Sequence, residues 1–247
     1  MDAPLASAYA FGLVLLRTAG LCMTAPILAA RVVPARIRLA LSLAIAFAVY
    51  TGAGAPAVPP PDGLLGLAGA SAAETATGIL AGLAARFVLD AALAAGQLAG
   101  LSAGLGFSAL VDPVTGAEST AVSQTLFITA QGTAVALGAH TEAVAWLARS
   151  VMRWPPGAAA GVGELASRLV GQAAVSAALA VRLAFPVMAA VMLGHVLMGL
   201  IGRLAPQLNL GNIGFSIAIL AGGLALYLVA PAAAELAARA AVAAFQG

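Results

Sequence analysis

Long apolar runs with few charged residues constrain this chain more than any other feature of its sequence. Only 8% of the 247 residues are charged, whereas 62% are hydrophobic. Globular domains carry charges at roughly 25% of their positions. A chain this poor in charge cannot cover a soluble fold, but apolar helices of about 20 residues can cross a bilayer. The composition predicts an all-α, polytopic membrane protein, and we expect residues 1–247 to form a single membrane domain.

Prolines, glycines and polar clusters divide the sequence into six or seven apolar helical segments. The number depends on the stretch from Gly63 to Leu110, which is either one long bent helix or two helices that meet near Arg86. Pro186 and Pro231 lie inside the last two segments and predict kinks there. The remaining segments are expected at residues 5–30, 39–54, 120–148, 163–201 and 213–244.

Several charged residues lie in or near the interiors of these apolar segments. A single charge that faces lipid costs about 2.5–3.5 kcal/mol on the lenient scale. The charges either pair inside one helical bundle, as in transporters, or are covered by other subunits of a larger assembly. Arg17 and Glu74 are a plausible pair. The full set is Arg17, Glu74, Arg86, Asp90, Glu142, Arg168 and Arg182.

Glycines spaced four residues apart indicate close helix packing. Gly96, Gly100 and Gly104 form two overlapping GxxxG repeats, and Gly78 and Gly82 form another. Because glycine lacks a side chain, such repeats allow two helix backbones to approach closely. We therefore expect Gly96, Gly100 and Gly104 to form a helix-packing face.

No residue pattern predicts a catalytic, cofactor or metal site. The segment GLSAG matches G-x-S-x-G around Ser102, but a nucleophile elbow needs a strand before the turn, and apolar helix surrounds this motif. His140 and His195 are interpreted as structural, since a metal site needs about three suitably spaced ligands. Walker motifs are absent. Without a basic patch interleaved with aromatic residues, nucleic-acid binding is not expected.

The polar breaks near the N-terminus resemble a known family signature. The segment LLRTAGLCMTAPILAARVVPARIRLALSLA places Arg17 in the first helix, Ala-Pro after it, and a V-P-x-R-x-R turn that contains Arg36 and Arg38. This order resembles the FliR/SctT (YscT, SpaR) family, which comprises export-gate membrane proteins of flagellar and virulence type III secretion systems.

Two later segments extend the resemblance over nearly the whole chain. GLGFSALVDPVTGAES is similar to the family segment that ends in Asp-Pro and a glycine turn, and LIGRLAPQLNLGNIGF is similar to its R-x-x-P-Q-L-N block. Departures occur at Ser216, where proline is usual, at Ala218, where a polar residue is common, and before His140, where Asn is missing. The departures affect local kinking and polarity rather than the assignment to the family.

The resemblance implies a non-enzymatic subunit, without a cofactor, of an inner-membrane export gate, most simply the flagellar one. Such a subunit forms part of the pore for unfolded exported proteins. FliP-like and FliQ-like subunits and an FlhB-like switch protein are the implied partners, in a flagellar basal body or an injectisome. The implied channel plug is the turn with Asp112, Pro113, Gly116 and Glu118. The implied assembly or buried polar residues are Arg17, Glu74, Arg36, Arg38, Arg203, Gln207 and Asn209.

Two alternatives remain from the residues themselves. A stand-alone secondary transporter would line a substrate path with the buried charges, but transporters usually contain internal repeats, and none is clear here. An intramembrane hydrolase would depend on Ser102 and a membrane histidine. Both alternatives predict an activity of the isolated chain, whereas a pore subunit requires its partners.

Overall fold

Seven helices account for most of the chain that the structure describes. The computed structural model describes residues 3–26, 28–29, 33–104, 120–158, 161–204 and 210–246. The all-α prediction is confirmed. The helices are α1 (Ala3–Thr24), α2 (Ala35–Gly52), α3 (Leu64–Ser102), α4 (Ala121–Ala136), α5 (Ala139–Arg153), α6 (Gly161–Leu204) and α7 (Leu210–Ala243).

Five of these helices are long and apolar enough to cross a membrane. They are α1, α2, α3, α6 and α7. The helices α4 and α5 have only 16 and 15 residues, fewer than the roughly 17–25 that a spanning helix needs. The prediction of a polytopic membrane protein is confirmed, and α4 and α5 belong to the connections between the long helices.

The structure differs from the predicted segments at one place and decides between two alternatives at another. The segment expected at residues 120–148 is two helices, because Gly138 has a φ of +84° and separates α4 from α5. Glycine adopts this left-handed conformation at no steric cost. The stretch after Gly63 is one helix, so the split considered near Arg86 does not occur. Pro186 and Pro231 lie inside α6 and α7 without ending them.

The described residues form two compact units. The first comprises residues 1–87, 135–174 and 240–247. Its apolar core joins α1, α2, α3 and α5, and includes Val14, Leu21, Tyr50, Trp146 and Leu147. The second unit comprises residues 88–134 and 175–239. Its small core brings Ala103, Val191 and Ala218 together.

Candidate functional site

The first unit contains a buried ion pair between α1 and α3. Nε of Arg17 lies 2.6 Å from Oε2 of Glu74, and each side chain is only 2% exposed. Burying either charge alone would be very costly, whereas a hydrogen-bonded pair offsets much of the desolvation. The pairing considered from the sequence is therefore present within one chain.

Three further groups complete the hydrogen bonding of this pair. Arg17 also donates to Oγ of Ser150 at 3.2 Å and to the backbone oxygen of Trp154 at 3.0 Å. The second carboxylate oxygen of Glu74 accepts the backbone N–H of Gly157 at 2.8 Å. These five residues, which we call the Arg17 network, connect α1 and α3 to α5 and to the turn that follows it.

Small residues let α1 and α3 approach closely enough to form the pair. A methyl group at Gly20 would lie 2.5 Å from the backbone oxygen of Thr75, and methyl groups at Gly78 and Gly82 would overlap Arg17 and Thr24, respectively. Helices packed through such residues bring their backbones together. The GxxxG repeat at Gly78 and Gly82 thus lies at the contact that holds the Arg17 network.

The geometry of the Arg17 network suits a structural clamp. Both carboxylate oxygens of Glu74 accept hydrogen bonds, and all three guanidinium nitrogens of Arg17 donate one. A site that binds a solute by charge needs a group that is available to the solute. The charges of Arg17 and Glu74 are instead occupied by each other, by the Ser150 hydroxyl and by the protein backbone.

Sequence reasoning missed three members of the network. Ser150, Trp154 and Gly157 contribute a hydroxyl, a carbonyl and an N–H group, and a backbone group leaves no signal in residue identity. A neighbouring exposed cluster was also missed. In it, Oε1 of Glu164 accepts from Arg153 at 2.9 Å and from Arg168 at 2.8 Å.

The other polar residues named from the sequence are spread along the chain. Arg36 is exposed in the first turn of α2, and Arg38 is half-buried and donates to the backbone oxygen of Val33 at 3.3 Å. Arg203 is exposed near the end of α6. The remaining named residues, Asp112, Pro113, Gly116, Glu118, Gln207 and Asn209, lie outside the described residues.

The expected glycine face in the second unit contains two of its three residues. A methyl group at Gly96 would overlap Cα of Ser123, and one at Gly100 would lie 3.1 Å from Oγ1 of Thr120. Gly104 follows the end of α3 with a φ of +79°. It therefore ends the helix instead of extending the face, because this conformation favours glycine.

The residues considered for catalysis do not assemble a recognisable reactive group. Oγ of Ser102 donates to the backbone oxygen of Ala99, within its own helix, at 2.8 Å. His140 and His195 are exposed on helix surfaces, and their interpretation as structural stays a prediction. Among the described residues, no three His, Cys, Asp or Glu side chains are grouped to hold a metal ion.

The family model and the similar known proteins all indicate the same family. The family model described as "Bacterial export proteins, family 1" matches residues 8–243. The chain is 28% identical to the flagellar biosynthetic protein FliR of Caulobacter vibrioides over 87% of this chain and 85% of the relative. It is also 28% identical to FliR of Escherichia coli, over 84% of this chain and 79% of the relative. The flagellar biosynthetic protein FliR of Pectobacterium carotovorum is 27% identical, over 89% of this chain and 85% of the relative.

The family match covers most of α1 and all of α2 to α7, and it includes both members of the buried ion pair. It confirms the resemblance to the FliR/SctT family that the ordered polar motifs indicate. The chain therefore belongs to family 1 of the bacterial export proteins.

Proposed function

We propose that this chain is a non-enzymatic subunit of the flagellar export gate in the bacterial inner membrane. In this role it forms part of the pore through which unfolded proteins leave the cytoplasm. The observation that carries the proposal is the family match over residues 8–243, joined to three relatives named as flagellar biosynthetic proteins. These relatives favour a flagellar basal body over an injectisome.

The Arg17 network supports a structural role for the chain. Its two charges, Arg17 and Glu74, are used to fix α1, α3, α5 and the following turn, and neither is open to a small solute. A subunit that must hold its shape while a polypeptide passes benefits from such cross-links. The same observation disfavours the transporter alternative.

We place one subunit contact on α2. This helix is exposed over most of its length, with Leu39, Leu43 and Phe47 facing outwards beside the exposed Arg36. An apolar face next to an arginine suits a neighbouring helix that carries a carboxylate. FliP-like and FliQ-like subunits, together with an FlhB-like switch protein, are the proposed partners. Arg203, Gln207 and Asn209 form a second proposed assembly segment.

We further propose that the turn with Asp112, Pro113, Gly116 and Glu118 closes the pore at rest. Support comes from the helices on either side of it. Gly96 packs against Ser123 and Gly100 packs against Thr120, so the helices before and after the segment are held together.

Co-purification tests the subunit role. When the full-length chain is expressed with FliP-like and FliQ-like proteins from the same organism, we expect one stable complex that contains all three. Deletion of the gene should abolish flagellar assembly and motility, and the wild-type gene should restore both. A monodisperse monomer that transports a small solute by itself would contradict the pore-subunit role and favour a secondary transporter.

Deletion of residues 112–118 tests the plug. The assembled complex that lacks this turn should make cells leaky to ions and small solutes, as measured by uptake of a membrane-impermeant dye. A matched deletion in the connection between α2 and α3, at residues 56–62, should not cause leakage. A complex without the turn that assembles and stays closed would rule out the plug.

A further inference from the structure

A charged cluster on the surface of the first unit joins the end of α5 to the beginning of α6. Arg153 lies in the last turn of α5 and Glu164 in the first turn of α6. Each charge is favoured there, because the helix dipole is positive where a helix begins and negative where it ends. Arg168 follows Glu164 by one helical turn, so it reaches the same carboxylate. We call Arg153, Trp154, Glu164 and Arg168 the Glu164 cluster.

A single oxygen of Glu164 serves both arginines. Oε1 lies 2.9 Å from Nη2 of Arg153 and 2.8 Å from Nη2 of Arg168. Two guanidinium groups beside one carboxylate leave the cluster with a net positive charge. Arg153 uses one guanidinium nitrogen for this ion pair, and 55% of its side chain is exposed. Because a guanidinium can bind a carboxylate through two nitrogens at once, Arg153 can accept a second carboxylate from outside the chain.

The Arg17 network helps to fix the position of the cluster. The guanidinium carbon of Arg153 lies 4.9 Å from the centroid of the Trp154 ring, a distance at which a cation is attracted to an aromatic face. The backbone oxygen of Trp154 accepts a hydrogen bond from the buried Arg17. A methyl group at Gly161 would lie 3.0 Å from the ring, so α6 begins in contact with it. Groups that are held in place before binding lose less entropy when a partner binds.

The residues beside Arg153 are of the kinds that are common at protein interfaces. Met152 is 68% exposed, Trp154 is half-buried and Pro155 is exposed. Methionine, tryptophan and arginine are enriched in protein–protein contacts relative to the rest of the surface, and tryptophan and arginine often contribute most of the binding energy. The composition therefore favours a protein as the partner.

An anionic lipid surface fits the cluster less well. Segments that recognise such lipids carry clusters of about four to eight Lys or Arg residues, whereas this cluster has two arginines with a glutamate between them. Arg149, one turn earlier on α5, lies 3.6 Å from Glu142 and donates to the backbone oxygen of Phe245. Its charge is therefore already used within the chain.

We propose that the Glu164 cluster, together with Met152, is a docking surface for an acidic segment of a neighbouring subunit, and that an Asp or Glu side chain of this segment binds Arg153. The inference rests on the proposed function, because the partner is another subunit of the same complex. It uses different residues from the contacts placed on α2 and around Arg203, and it specifies the charge of the segment that binds.

Photo-cross-linking in the purified complex tests the contact. Met152→p-benzoylphenylalanine is introduced into the full-length chain, the complex is purified with the other subunits and irradiated, and the joined peptides are identified by mass spectrometry. We expect an adduct with a second subunit, in a peptide that contains Asp or Glu. An adduct with phospholipid or with a peptide that lacks both residues would overturn the proposal.

Charge variants test the sign of the partner. Arg153→Glu makes the cluster net negative and should lower the yield of the adduct at residue 152 at least fivefold. Glu164→Gln removes the competing carboxylate and should leave the yield at the wild-type level or above it. Arg239→Glu is the matched control, because Arg239 is an exposed arginine paired with one glutamate on α7, and it should leave the yield unchanged. An equal or higher yield in Arg153→Glu, or a lower yield in Glu164→Gln, would overturn the proposal.

Two further comparisons separate this inference from misfolding and from the proposed function. Arg153→Gln removes the charge without reversing it, and it should also lower the adduct yield, which keeps the test valid if Arg153→Glu does not fold. A wild-type complex that assembles and exports but gives no adduct at residue 152 would overturn this inference alone. If the wild-type chain forms no complex with the other subunits, the inference and the proposed function both fail.

Discussion

Arg17 and Glu74, which are 57 positions apart in the sequence, form an ion pair with Nε 2.6 Å from Oε2. Both side chains are buried, and the pair also uses Ser150, Trp154 and Gly157. The Arg17 network therefore links three helices and a turn through charge-assisted hydrogen bonds, which are stronger than those between neutral groups. The stability of this link depends on every hydrogen bond of the Arg17 network being formed.

We expect Arg17→Ala to destabilise the chain by about 3–5 kcal/mol, because Glu74 would remain buried without a counter-charge. The yield of the assembled complex should fall as a consequence. Thermal unfolding in detergent and the amount of co-purified complex measure the two effects. Arg239→Ala is the control, because its partner pair is exposed and such pairs contribute about 0–1 kcal/mol. Equal stability of Arg17→Ala and Arg239→Ala would contradict a stabilising role of the Arg17 network.

Replacing both charges should recover only part of this loss. In Arg17→Met/Glu74→Leu no charge is left unpaired, and apolar pairs often replace buried ion pairs at little cost. However, the Trp154 carbonyl and the Gly157 N–H would lose their partners, at about 1–3 kcal/mol each. A double variant as stable as the wild type would show that these backbone hydrogen bonds contribute nothing. The unfolding temperatures of the two single variants and the double variant give the comparison.

Helix α1 should tolerate a methyl group at one of its glycines but not at another, which packs against α3. In Gly20→Ala the new methyl would lie 2.5 Å from the backbone oxygen of Thr75, so the helices must separate. We expect a loss of about 1–3 kcal/mol, as for other overpacked cores. Gly12→Ala, on the same helix, meets nothing within 4 Å and should be neutral or stabilising. Thermal unfolding measures both, and a loss of similar size in the two variants would argue against close packing at Gly20.

Adjacent glycines in α7 allow the same comparison in the second unit. A methyl at Gly222 would lie 2.8 Å from Cβ of Ala103 and 3.1 Å from Val191, whereas one at Gly223 meets nothing within 4 Å. Gly222→Ala should therefore lower stability by about 1–3 kcal/mol, and Gly223→Ala should not. Proteolysis of α6 and α7 in detergent, followed over time, provides the measurement. Faster cleavage of Gly223→Ala than of Gly222→Ala would contradict the packing described here.

Ser102→Ala should leave motility, export and complex yield at wild-type levels. Its hydroxyl donates to the backbone oxygen of Ala99 within the same helix, and such a bond contributes only about 0.5–1.5 kcal/mol. Ser123→Ala is the comparison for the loss of a buried hydroxyl, because the Ser123 side chain is fully buried and hydrogen-bonded to Thr120. A Ser102→Ala variant that assembles normally but does not export would revive the hydrolase alternative.

The low charge content determined the fold class without any structure. Runs of apolar residues longer than 18 predict membrane helices, since a helix satisfies all of its backbone hydrogen bonds within one uninterrupted apolar segment. For this reason the long helices could be predicted from the sequence to within a few residues at most of their ends. The exception was the split at Gly138, where a single residue with positive φ divides one apolar run.

The sequence also determined the family, because the polar motifs around Arg17, Arg36 and Arg203 occur in a fixed order. It could name Arg17 and Glu74 as candidates, but their contact depends on the close approach of α1 and α3 at Gly20 and Gly78. The tertiary structure alone decided that Ser150, Trp154 and Gly157 complete the Arg17 network. Two of these contribute backbone groups, which every residue carries, so only the path of the chain determines which ones meet the charges.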